Sequence, residues 1–139
     1  MLNGFLRPNS VPFQSTRMPQ TAVYKTLDLY NLSKKCVAAC YELSSNLPAE
    51  EKTNLSHHLR QAGISAHVAI AQGVFLKKKK SRLKFLLDGQ RSLTVIDAIV
   101  DVLIELQFIK EEASSELISL SAACYEGLEE LKKDEETEK

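Results

Sequence analysis

Few residues in this chain are of a type and spacing that could do chemistry. Cys36, Cys40 and Cys124 are an odd set of three thiols, and no secretory apolar run precedes them, which reads as a reduced, cytoplasmic setting. Cys36 and Cys40 stand four apart beside Val37, Ala38 and Ala39, so they share a helix face and read as small buried hydrophobes. A metal site would need two further ligands, and His57, His58 and His67 lie on a different segment. Ser65 and His67 are two apart, a spacing that turns them to different helix faces. His57 and His58 with Glu51 can be drawn as an acid–base site, but a partly exposed helix surface accounts for them better. The sequence contains no phosphate-binding Walker loop, no dinucleotide fingerprint and no His-Glu-x-x-His. The expectation is no cofactor, no metal and no enzyme.

Charge is the stronger signal. Eighteen Lys and Arg balance eighteen Asp and Glu over the chain, but the signs are segregated. Residues 57–91 hold eight bases against Asp88 alone, +7; residues 92–139 hold thirteen acids against four bases, −9. At the centre lies Lys77-Lys78-Lys79-Lys80-Ser81-Arg82-Leu83-Lys84, with Arg60 and Arg91 as extensions of the patch. The run sits where a helix begins, the end at which cations oppose the macrodipole, so it costs stability unless an anion compensates it. Two readings stay open. One is a patch that neutralises nucleic-acid phosphates with salt-dependent affinity; the other is a solvated loop, or one paired with acids of a neighbouring subunit. With 6% aromatics and no Trp, a stacking platform for single strands is not favoured.

The elements that must position these residues are helices. The length of 139 residues is that of one domain, and 44% hydrophobic with 26% charged residues argues against global disorder. Five Gly and four Pro are too few for a turn-rich β fold. Residues 1–20 carry three of the four prolines and no acid, and read as a disordered leader; Arg7, Arg17 and nearby hydroxyls faintly resemble an organelle presequence, and Met18 offers an alternative start. Four helical periods follow over about 22–46, 48–72, 79–107 and 111–133. Pro48 suits a first turn, and Gly73 suits a left-handed helix end. Short connections make the fold an all-α, antiparallel up-down-up-down four-helix bundle over residues 21–133, with a frayed acidic tail at 134–139. The most apolar run, Val95 to Leu106, is interrupted by Asp97, Asp101 and Glu105, which excludes a membrane span. Those acids hold one line, and apolar residues take most of the remaining circumference. That stripe is wider than one core requires, so Val95, Ile99 and Val102 are expected to meet a second copy of the chain; the alternative is a central helix fully covered within one chain.

The order of several segments carries a resemblance. Leu47-Pro48-Ala49-Glu50-Glu51, then Leu55 to Arg60, then Gly63-Ile64-Ser65 to Gly73 resembles the 23S rRNA intervening-sequence four-helix-bundle family. That family reads Pro-x-x-Glu, Leu-x-x-Gln-x-Arg-Arg-Ala and Ser-Ile-x-x-Asn-Ile-Ala-Glu-Gly; Pro48, Glu51, Leu55, Leu59, Ser65, Ile70, Ala71 and Gly73 match. Phe85-Leu86, Ser92-Leu93 and Phe108-Ile109 extend the likeness, while Ala69, Gln72, Arg91 and Val95 depart from the family's Asn, Glu, Gly and acid. The resemblance implies a small bacterial bundle that assembles as a cyclic homopentamer. It also implies similarity in fold to the accessory variability determinant of diversity-generating retroelements, a basic pentamer that binds nucleic acid and partners a reverse transcriptase.

The resulting expectation is a non-enzymatic, self-associating bundle whose basic rim contacts nucleic acid, RNA above all. The competing expectation is a protein adaptor whose acidic fourth helix recruits another polypeptide, such as a reverse transcriptase.

Overall fold

The computed structural model describes residues 20–76 and 78–137, and the side chains of residues 26–76 and 78–135. The sequence expectations for the leader and for Lys77 therefore fall outside the described residues. Four long helices make up the fold: α1 (Gln20–Ser44), α2 (Leu55–Phe75), α3 (Lys79–Glu105) and α4 (Ser115–Thr137). Single 3-10 turns at Ala49–Glu51 and Glu111–Ser114 lead into α2 and α4.

Contacts at both ends of each helix pair fix the directions. Ser56 Oγ donates to Ser44 O, while Tyr30 packs on Phe75, so α1 and α2 run antiparallel. Gln90 reaches Glu129 and Asp97 reaches Ser121, which orders α3 against α4 in the same way. Each helix packs on the two beside it, α1 on α4 included. The arrangement is the up-down-up-down four-helix bundle read from the sequence.

The core is the set of inward stripes. Leu59, Ile70, Leu86, Leu93, Ile96, Leu103 and Leu128 are fully buried, with Cys36, Cys40 and Cys124 among them. The thiols act as small apolar groups there, as their spacing indicated. Leu87 and Leu106, apolar residues on and just after α3, are 39% and 50% exposed. The inward face of α3 is narrower than its apolar face.

Helix ends show where local chemistry was misread. Gly73 does not end α2; it lies inside it, and no described glycine has positive φ. Its role is close approach, because a Cβ there would sit 3.0 Å from Leu86 Cδ2 and 3.4 Å from the Leu86 backbone N. The left-handed position belongs to Gln107 (φ 63°) after α3. The Gln107 N–H donates to Ile104 O and the Phe108 N–H to Leu103 O, a Schellman closure of the last turn. At the start of α2, Glu51 Oε1 accepts from Asn54 Nδ2 and from the Leu55 N–H, capping the helix from the preceding turn. The fourth helix continues through Thr137, into the segment expected to fray.

Candidate nucleic-acid and assembly surfaces

The antiparallel order brings the C-terminus of α2, the N-terminus of α3 and the C-terminus of α4 to one end of the bundle. Lys78 and Lys80 are exposed there, and Lys79 is half-buried. No acidic residue occupies the first turn of α3 and no side chain caps it, so these lysines lie at a positive dipole end. Further along, Arg82, Lys84 and Arg91 are engaged with acids. Arg82 Nε and Nη2 donate to Glu135 Oε2 and Oε1 at 3.0 and 2.7 Å, and Nη1 donates to Leu76 O at 2.8 Å. Lys84 and Arg91 share Asp88, at 3.1 and 3.4 Å.

Arg60 does not join them. It donates to Ser44 Oγ and stacks over Tyr41 at the opposite end of the α1–α2 pair. Fifteen residues of α2 separate it from Phe75, about 22 Å at the helical rise. Charge counted along the chain grouped Arg60 with the lysines; the length of α2 separates them.

A second surface lies along α3. Val95, Val102 and Leu106 are 47%, 43% and 50% exposed, with Ile99 half-buried between them. Their spacing of four, three and four places them in one line. Beside the line, α2 and α3 enclose a groove of about 440 Å³ lined by Leu55, His58, Ala62, Ser92, Val95 and Ile99, among others. The apolar face is thus shared by two helices.

The groups that chemistry might use are held in structural roles. Ser33 Oγ donates to Tyr30 O, so the 2.6 Å contact with His67 Nδ1 is an N–H donated to the serine oxygen. Ser33 is 1% exposed, which closes it to a substrate. Burial, then the nearby Lys34, lowers the pKa of His67 below the ordinary imidazole range. His57 and His58 are exposed, and the Glu51 carboxylate is bonded to Asn54 and Leu55. The hydrogen bonds that Cys40 and Cys124 make with Cys36, followed by burial, push both thiols up and keep them protonated. Among the described residues, no group of three His, Cys, Asp or Glu is arranged to hold a metal, and no helix is long and apolar enough to cross a membrane.

Two polar contacts escaped sequence reasoning. Gln90 is 3% exposed between α3 and α4; its Nε2 donates to Glu129 Oε1 and its Oε1 accepts from Lys132 Nζ, both at 2.8 Å. The donated amide, then Lys132, holds the Glu129 carboxyl below its usual range. The signal was available: Gln90 falls at the core register between Leu86 and Leu93. The Arg82–Glu135 pair had no such signal, since 53 residues separate its members.

A search among curated proteins finds no match to the chain. A family model does match: the one described as 23S rRNA-intervening sequence protein covers residues 25–130, which spans from within α1 to within α4 and takes in α2, α3 and the turns between the helices. The chain belongs to the 23S rRNA-intervening sequence protein family.

Proposed function

We propose that this protein is a non-enzymatic, self-assembling four-helix scaffold whose α2–α3 end meets nucleic-acid phosphates, with RNA as the favoured partner. The observation that carries the proposal is the exposed apolar line Val95–Ile99–Val102–Leu106 beside the α2 groove. Residues left wet in one chain are dry once a second copy lies against them, and a repeated contact around an axis closes into a ring. Five copies is the number that the family resemblance suggests. In a ring, the exposed Lys78 and Lys80 recur once per subunit, so weak phosphate contacts add up through multivalency.

A second reading has its own support. Glu116, Glu126 and Glu130 are exposed on α4, an acidic face that suits a basic protein partner such as a reverse transcriptase. Light scattering and salt titration separate the two. The scaffold reading expects a multiple of the chain mass and RNA binding that weakens steeply with salt. A monomer, or tight partner binding without any RNA shift at low salt, contradicts it.

A further inference from the structure

Arg82 and Glu135 are each badly placed for their own helix. A guanidinium in the first turns of α3 opposes the positive dipole end, and a carboxylate in the last turn of α4 opposes the negative one. Antiparallel packing sets the two ends side by side, and the misplaced charges meet in a two-pronged bond, with side chains 21% and 15% exposed. In contrast, Lys84–Asp88, Arg91–Asp88 and Lys132–Glu129 are one-turn pairs within a helix. The paired edge of a guanidinium fits a carboxylate and a phosphate with the same geometry.

We infer that Arg82 is a phosphate-binding position that the chain keeps occupied with its own carboxylate, Glu135 standing where a nucleic-acid phosphate binds. The inference rests on the phosphate-contact reading above and names the residue that governs its strength. Arg82 is pinned by Leu76 O with its fork at the end that carries Lys78 and Lys80, so the donor is already aimed. What blocks it is removable. Among the described side chains of α4, Leu128 is the last that is fully buried, and Glu135 lies two turns beyond it. Leu131 is the last of them packed against the core, and it is only partly buried, so the turn beyond it that carries Glu135 opens at small cost. While Glu135 holds Arg82, nucleic acid does not gain it, so the wild-type chain binds more weakly than its count of bases implies.

The test is fluorescence anisotropy of a fluorescein-labelled single-stranded RNA with the full chain, its E135Q variant and the R82Q/E135Q double variant across a salt series. With Glu135 neutralised, the Arg82 fork can meet one more phosphate, and that contact releases the cation condensed there on the RNA. E135Q should bind three- to tenfold tighter at low salt, and its slope of log K against log salt should steepen by about 0.7, one further phosphate contact on a single strand. The double variant should lose both gains. Should E135Q follow the wild type in affinity and slope while both bind RNA, the pair is a structural tie and the inference fails alone. It fails equally if R82Q by itself flattens the wild-type slope, because Arg82 is then already engaged with RNA. Absence of RNA binding by wild type and E135Q alike sinks the phosphate reading together with the inference.

Discussion

Val102→Asp separates assembly from folding. Val95, Val102 and Leu106 keep about half of their surface in water within one chain. Full burial of such a side chain contributes about 1.5–3 kcal/mol, so covering the remaining half gives about 1 kcal/mol per residue in a subunit contact. Val102→Asp removes that gain and sets an unpaired carboxylate against apolar surface, for a combined loss of about 3–4 kcal/mol per contact. At 1.4 kcal/mol per decade, association weakens by a factor of about 100 to 1,000. The chain itself should fold as before, because an exposed substitution costs at most about 0.5 kcal/mol. Ile96→Asp, on the 0% exposed face of the same helix, should instead abolish the fold. Sedimentation velocity over a dilution series, with urea melts of the same samples, reads both quantities. A V102D protein that keeps the wild-type assembled mass would show that α3 does not make the contact.

Three further outcomes test the packing and the polar contacts. Gly63→Ala places a Cβ 2.9 Å from Cys40 Sγ and 3.3 Å from its Cβ, so α1 and α2 must part; urea denaturation should show a loss of about 1–3 kcal/mol, largely recovered in G63A/C40A. Gln107→Gly should raise stability by about 0.5–1 kcal/mol, since glycine takes the left-handed position after α3 without strain; a lower melting temperature would contradict that closure. His67 is held neutral by burial, so the unfolded chain binds the extra proton. Stability is complete above the unfolded pKa near 6.5 and falls as pH drops below it; melts between pH 7 and 5 should show this slope, and H67Q should flatten it.

Apolar spacing made most of the fold legible. The stripes Leu29–Leu32–Cys36–Cys40–Leu43 and Leu55–Leu59–Ala62–Ala66–Ala69–Ile70 state which side of each helix is dry, and all their members are buried except Leu32 and Leu55, which are partly so. Short connections then left one order of packing, and the order of motifs from Pro48 to Phe108 identified the family. The misreadings share a cause. Gly73 has the composition of a helix end, but Phe85 and Leu86 of α3 make it a contact point within α2. A charge count along residues 57–91 put Arg60 with the lysines although a helix has two ends.

The sequence by itself determined that there are four helices, which faces they bury and that α3 has apolar surface to spare, because these follow from a 3.6-residue period acting between near neighbours. Only the tertiary structure decided which charges remain available. Arg82 meets Glu135, Gln90 meets Lys132 and Ser33 meets His67 across separations of 34 to 53 residues. An electrostatic partner at such a distance is set by which helix ends come to lie side by side, and no local pattern encodes it.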